Sequence, residues 1–398
     1  MIKNRLLRAL DYAGALAWFY GLKPVAAAVR RAAPSMRNVW LVMERGNDAR
    51  DNGYWFYRYL REQHPEINAK YVIADDSPDR ERVDKWGAPV RFGSLRHKLL
   101  YLCADVLAGT HVYPAAPDLI LFYHLAQRGI RARGRQVFLQ HGITKDEMEW
   151  LHGRHLPVDL FACGAKPEYD YVSETFGHPK GVARYLGLCR FDHLIAAGKP
   201  RREILLMPTW RGSRYPSGDD FPGTAFYRHY QELLNHPALE ALLERADCRL
   251  VFYPHIELQK ELHHFSARSP RIVLADCGTS DVQELLMNCS MLVTDYSSVY
   301  FDAAYLGRPV VYDQFDEEEF RALHYQKGYF DYDRDGFGPV CRTTEALLGQ
   351  IEACAERDFA AEERYRARAQ RFFPIRDANN CQRTYEAILS LMNTDQKE

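Results

Sequence analysis

A histidine, a second histidine, an arginine and a serine pair stand where strands would end, and that placement gives them chemistry. His141-Gly142 follows the apolar run Val137–Gln140. An imidazole on a strand-end loop is placed to take a proton from an attacking hydroxyl, because it titrates near neutrality, and the adjacent glycine leaves the backbone room. His255 sits at the mouth of Val251-Phe252-Tyr253, just after Pro254. Thr209-Trp210-Arg211 follows Glu203–Met207 and Pro208 in the same way. A guanidinium there can neutralise a diphosphate by bidentate hydrogen bonding, whereas the plainer reading is a surface arginine on a loop. The chain has 15 histidines, so position rather than type singles out His141.

The run Met291-Leu292-Val293-Thr294-Asp295-Tyr296-Ser297-Ser298 reads as a buried strand, a short polar turn and the start of a helix. Unpaired backbone N–H groups and the positive end of a helix dipole attract phosphate at such a place, and Ser297 and Ser298 can add hydroxyl donors. Serines also cap helices everywhere, which is the plain alternative. Asp281 and Glu284 have the spacing of a capping box. A carboxylate there can instead grip ribose hydroxyls, but the residues alone favour capping.

The elements that must carry these groups alternate. Val39–Met43, Tyr71–Ala74, Val90–Arg91, Val106–Gly109, Gln136–Gln140 and Leu160–Cys163 read as strands, with helices at Gly53–Gln63 and Lys98–Cys103. A second set begins near Pro200, with strands at Glu203–Met207, Arg249–Tyr253, Ile272–Leu274, Met291–Thr294 and Pro309–Tyr312. One long helix is expected over Phe226–Arg245, with others at Val282–Met287, Val299–Leu306, Thr344–Ala355, Ala360–Phe372 and Asn379–Leu391. This rhythm predicts α/β architecture with two doubly wound parallel sheets. The expected divisions are a basic amphipathic segment 1–34, an N-terminal domain 35–198, a C-terminal domain 199–375 and a helix with tail 376–398. Ligands of open α/β sheets lie beyond the carboxyl ends of strands, so both domains are expected to face a central cleft.

Composition narrows the class. A chain of 398 residues suits two domains, and 47% hydrophobic with 26% charged residues is ordinary for globular proteins. The formal net charge of −1 argues against a nucleic-acid partner. Nine scattered cysteines, with no C-x-x-C pair or Cys/His cluster, indicate neither a disulfide framework nor a metal, and fit a reducing, cytoplasmic location. No apolar stretch reaches 18 residues, and Asp11 interrupts the N-terminal apolar run, so neither a membrane span nor a signal peptide is expected. Lys3, Arg5, Arg8, Lys23, Arg30 and Arg31 accompany Leu6, Leu7, Leu10, Ala13, Leu16, Ala17 and Tyr20 at helical spacing. That helix either packs on the body of the protein or lies on anionic lipid at the inner face of the membrane. Arg128, Arg131, Arg133 and Arg135 form a second basic patch, read as a solvated loop or as contact with anionic lipid or a polyanionic acceptor.

Taken in order, these segments resemble the CDP-glycerol glycerophosphotransferase family, which includes the teichoic-acid polymerases. The matches are Gln140-His141-Gly142, Pro208-Thr209-Trp210-Arg211, Pro254-His255, Asp281-x-x-Glu284-Leu285-Leu286 and Thr294-Asp295-Tyr296-Ser297-Ser298-x-x-Phe301-Asp302. Arg308-Pro309-Val310-Val311-Tyr312 and Gly328-Tyr329-Phe330-Asp331-Tyr332 also fit, and Glu44-Arg45-Gly46-x-Asp48-Ala49-Arg50-Asp51-Asn52-Gly53 looks like the opening of one subgroup. The resemblance implies a GT-B-like pair of Rossmann-like domains, working without metal, with CDP held mainly by the C-terminal one. It implies that His141 deprotonates an acceptor hydroxyl that attacks the distal phosphorus of CDP-glycerol or CDP-ribitol, expelling CMP. By the same resemblance His255 and Arg211 supply positive charge, Ser297, Ser298, Thr294, Asp295 and Gly142 contact substrate, and Glu284 faces the ribose. The expected acceptor is a glycan, a lipid-linked species or a polyol-phosphate polymer. Ile143-Thr144-Lys145-Asp146 departs from the family's polymerases, where threonine and then Pro-Leu-Lys follow His-Gly, and this lies on the acceptor side.

Two other readings remain at this level. A GT-B glycosyltransferase using a nucleotide sugar for capsule or surface polysaccharide would share the architecture, since fold alone does not fix chemistry. A non-catalytic binding protein would keep the site without turnover.

Overall fold

The computed structural model describes residues 2–126, 128–212, 215–323 and 326–394. By contacts the chain divides into two compact units: Met1–Ile143 with Glu149–His193 and Asp377–Glu398, and Thr144–Met148 with Leu194–Arg376. The C-terminal segment thus returns to the first unit instead of standing apart. The five residues Thr144–Met148 go with the second unit although they follow a strand of the first.

In the first unit the strands are β1 Val39–Met43, β2 Asn68–Ile73, β3 Val90–Arg91, β4 Val106–Gly109, β5 Arg135–Phe138, β6 Leu160–Cys163 and β7 Ala183–Tyr185. They form one parallel sheet in the order β3-β2-β1-β4-β5-β6-β7. Every residue of β1 is buried, and its side chains alternate between faces as a strand requires. Trp40 and Val42 pack with Phe56, Leu60 and Ile388 on one side. Val39, Leu41 and Met43 pack with Phe19, Leu100 and Phe122 on the other. Strands buried on both faces carry continuous apolar runs, which is why these segments were legible.

The N-terminal helix Ile2–Ala32 buries Ala15, Phe19 and Ala26 in the second of these cores, and Arg30 pairs with Asp105 at 2.7 Å. From Tyr12 onward it is therefore a packed helix. The side chains of Lys3, Arg5, Leu6, Leu7, Arg8 and Leu10 lie outside the described residues. The second basic patch is largely partnered: Arg131 and Arg135 reach Asp159, Arg133 reaches Asp105 and Arg128 donates to Tyr12. Among the described residues no helix is long and apolar enough to cross a membrane.

The second unit repeats the plan with β8 Glu203–Met207, β9 Arg249–Phe252, β10 Ile272–Leu274, β11 Met291–Thr294, β12 Val310–Asp313 and β13 Val340–Cys341. The order is β10-β9-β8-β11-β12-β13, again all parallel. The single helix expected over Phe226–Arg245 is two, Ala225–Leu234 and Pro237–Arg245. Pro237 has no N–H to continue the first helix and biases His236 to extended backbone. His236 then caps the second helix, its ring nitrogen accepting from the N–H of Ala238 at 3.2 Å. The molecule is thus a tandem of two Rossmann-like α/β domains.

Candidate functional site

In each sheet the strand order reverses at one point, between β1 and β4 in the first unit and between β8 and β11 in the second. Loops leaving those strands diverge, and the crevice beyond their carboxyl ends is where open α/β sheets bind ligands.

In the first unit this crevice collects Arg45 after β1, Thr110 and His111 after β4, and His141 three residues past the end of β5. His141 is exposed, and its Nδ1 lies 3.3 Å from the carbonyl oxygen of Thr110. A carbonyl only accepts, so Nδ1 carries the ring proton and Nε2 keeps its lone pair. That is the tautomer a general base needs. The neutral form is further favoured because desolvation lowers the His141 pKa, opposed by the Asp51 carboxylate and the Thr110 carbonyl and helped by Arg45 and Arg190.

The backbone beneath His141 is held from several directions. Gln140 adopts φ +63°, a left-handed conformation that costs a residue with a Cβ about 1–2 kcal/mol. Asn52 offsets this by donating its side-chain amide to Gln140 O at 2.7 Å and accepting from Arg190 N at 3.0 Å. The Gln140 side chain donates to buried Glu168 at 2.9 Å. Arg190, itself buried, donates from one Nη1 to Asp51 Oδ1 at 2.8 Å and to His141 O at 3.1 Å. Asp51 also caps the helix Asn52–Gln63. Gly142 is buried beside this clamp.

His111, Thr110 and Arg190 had no place in the sequence reading, and Arg45 and Asn52 stood there only in a subgroup motif, with no role assigned. His111 carried the same signal as His141, a histidine just past the end of a strand. Its Nε2 accepts from Arg45 Nε at 3.2 Å, and its ring lies nearly parallel to that of His141 with centroids 5.6 Å apart. Desolvation, with His141 and Arg45 nearby, pushes its pKa down to about 3.

In the second unit the corresponding crevice has a buried floor and a polar rim. Arg211 has no exposed side-chain surface. It donates to Asp316 through Nε at 2.7 Å and Nη2 at 3.1 Å, to Asp295 at 2.7 Å and to Thr209 O at 2.6 Å. The rings of Phe226, Tyr296 and Phe320 enclose it. Burial alone would lower its pKa, but the two carboxylates more than offset this and raise it. Neither of the sequence readings for Arg211, diphosphate ligand or surface residue, describes this position. Its donors are turned inward, where they hold the loop after β8 to the loops after β11 and β12.

Asp295 is equally internal, accepting from Thr209 N and Oγ1, Arg211 and Tyr296 N. Thr294 is buried and donates to Met207 O at 2.6 Å, tying β11 to β8. The rim differs. Ser297 and Ser298 are half-buried, and the helix Val299–Leu306 starts directly after them. Ser298 occupies the capping position, yet its hydroxyl makes no capping hydrogen bond; Ser297 Oγ lies 3.4 Å from Val299 N. The plain capping explanation thus leaves the Ser298 hydroxyl without its usual partner. His255 is half-buried beside Trp210, ring planes within 10° and centroids 6.4 Å apart. Its Nδ1 accepts from Glu257 N at 3.2 Å, so its neutral form carries a proton on Nε2. Asp281 does cap the helix Val282–Asn288, while Glu284 is exposed. Among the described residues no three His, Cys, Asp or Glu side chains converge as metal ligands would.

Residues 192–390 match the family model described as CDP-Glycerol:Poly(glycerophosphate) glycerophosphotransferase. The minor teichoic acid biosynthesis protein GgaB of Bacillus subtilis is 30% identical over 373 residues, which is 89% of this chain and 40% of that protein. The teichoic acid poly(glycerol phosphate) polymerase of the same organism is 38% identical over 161 residues, 40% of this chain and 20% of that protein. The chain thus spans less than half the length of either relative. A solved structure of the wall teichoic acid polymerase TagF superposes with a TM-score of 0.65 at 15% identity, covering 99% of both chains.

Proposed function

As the chain belongs to the CDP-glycerol:poly(glycerophosphate) glycerophosphotransferase family, we propose that it transfers a polyol phosphate, glycerol phosphate first among candidates, from a CDP-linked donor to a hydroxyl acceptor. The observation that carries this reading is the His141 tautomer, with Nδ1–H committed to Thr110 O and Nε2 bare at the crevice of the first sheet.

In this reading Nε2 of His141 takes the acceptor's hydroxyl proton. The acceptor oxygen bonds to the phosphorus that bears the polyol, the bond from that phosphorus to the bridging oxygen breaks, and CMP leaves with the electron pair. Phosphoryl transfer needs positioning and charge stabilisation more than covalent help. Ser297, Ser298 and the first N–H groups of Val299–Leu306 supply donors to the donor's phosphates. His255, beside Trp210, and the exposed Glu284 are assigned to the phosphates and to the ribose hydroxyls of that donor. Arg211 and Asp295 act one step back, by fixing the loop that carries the serines. The acceptor is a teichoic-acid-like polymer or a lipid-linked or glycan hydroxyl, and the site of action is the cytoplasmic side of the cell envelope.

Purified protein supplied with CDP-glycerol or CDP-ribitol and a polyol-phosphate acceptor should release CMP and extend the acceptor. Release of UDP or GDP from nucleotide sugars, with CDP-polyols inert, would replace this reading with a glycosyltransferase. No turnover of any donor would leave a binding protein.

A further inference from the structure

The described mechanism leaves Arg45 and His111 unused, although both stand at the crevice that presents His141. Arg45 is half exposed, with 48% of its side chain open to solvent. Its Nε donates to His111, and its two terminal amino groups make no hydrogen bond among the described residues. Because His111 Nε2 accepts that bond, the ring proton sits on Nδ1, 3.2 Å from Thr110 Oγ1, and the imidazole is neutral. His111 is therefore a brace, and the guanidinium is the cation. Asp51 is held by Arg190 and Glu44 accepts the N–H groups of Arg50, Asp51 and Tyr54, while Asp48 accepts from Arg45 N and pairs only with Arg45 Nε, at 3.8 Å, which leaves the two terminal amino groups open. A guanidinium with free, planar donors is suited to a phosphate oxygen pair.

Arg45 is separated from the base by a single imidazole, whose ring centroid is 5.6 Å from that of His141. A polyol phosphate carries its terminal hydroxyl and its phosphate at opposite ends of a short carbon chain, so one such unit reaches from one group to the other. A neutral sugar hydroxyl would leave the guanidinium unused. We propose that Arg45, braced by His111, is the specificity-determining residue that binds the phosphate of the acceptor's terminal polyol-phosphate unit and so delivers that unit's hydroxyl to His141. This rests on the reading of His141 as the base.

The test compares wild type, R45Q and R45K on an acceptor ending in glycerol phosphate and on a neutral glycan acceptor, with calorimetric titration of sn-glycerol 3-phosphate alongside. R45Q should raise KM for the phosphate-ended acceptor about tenfold or more while kcat stays nearly constant, since a charge-assisted contact is lost. KM for the neutral acceptor should not move, R45K should recover part of the loss, and sn-glycerol 3-phosphate should bind wild type and not R45Q. Equal losses on both acceptors, no loss on either, or equal binding of sn-glycerol 3-phosphate to wild type and R45Q would overturn the assignment. If no CDP-polyol is turned over at all, the functional reading falls, while the calorimetric comparison still decides whether Arg45 binds a polyol phosphate.

Discussion

The Nδ1 of His141 faces the carbonyl oxygen of Thr110 at 3.3 Å, and this contact fixes which ring nitrogen can act as a base. The partner is backbone, so mutation of a neighbouring side chain does not readily remove it. The tautomer is built into the pairing of β4 with β5, whose registered ends bring Gly109 opposite Phe138.

His141 should titrate below the ordinary histidine value of 6.5, because desolvation outweighs the Asp51 carboxylate. A base works in its neutral form, so kcat/KM should be flat above that value and fall on the acid side of it. Replacement by alanine should lower kcat by about 10²–10⁴-fold, the usual worth of a positioned general base. A pH–rate profile of CMP release checks both. An acid limb centred above 6.5, or one that survives the alanine substitution, would assign the proton to another group.

Arg190 should matter to turnover without touching substrate. Its guanidinium joins Asp51 to the His141 carbonyl, and its backbone N–H joins Asn52, which holds Gln140 in its left-handed turn. R190Q takes the guanidinium from the His141 carbonyl and leaves Asp51 short of a cation, a loss of about 1–3 kcal/mol in stability. We expect kcat to drop with KM for the CDP donor unchanged, because the donor is assigned to the other unit. Steady-state kinetics with thermal unfolding separates the two effects, and an R190Q enzyme with wild-type kcat would contradict the positioning role.

Much of this was legible in the primary structure, and the gaps have physical causes. Strands such as Val39–Met43 and Met291–Thr294 are buried on both faces, so they announce themselves as apolar runs. Ala183–Tyr185 is interrupted by Arg184 and Val340–Cys341 is two residues long, so neither edge strand makes an apolar run that the sequence shows. Strand ends point to His141, His255 and the serines, since ligand-facing loops follow strands in this architecture. The sequence does not reveal which polar residue turns inward. Arg211 meets Asp295 and Asp316 across 84 and 105 residues, and only the packing of three strands reveals that its charge is already matched.

That inward charge makes Arg211 a stability residue first. Removing one partner of a buried ion pair leaves the other uncompensated and costs about 3–5 kcal/mol. R211M should therefore lower the unfolding midpoint of the second unit sharply, and R211K should do so nearly as much, because an ammonium cannot meet Asp316 through two nitrogens at once. Chemical denaturation monitored by circular dichroism tests this. A stable R211K protein with weakened donor binding would instead restore Arg211 as a direct diphosphate ligand.

Ser298 and Asp281 give the reverse contrast. Both precede helices, but only the Asp281 carboxylate caps its helix, accepting from Gln283 N and Glu284 N. D281A should cost about 0.5–2 kcal/mol of stability, the ordinary worth of a cap. The Ser298 hydroxyl makes no capping bond, so S298A should change stability by no more than about 0.5 kcal/mol, as an uncoupled substitution does. If the hydroxyl serves a phosphate of the CDP donor, S298A should raise the donor's KM several-fold at unchanged stability. Thermal melts and donor saturation curves on the two variants decide the matter: a destabilised S298A with normal donor affinity would make Ser298 a cap after all, and remove the serine pair from the phosphate site.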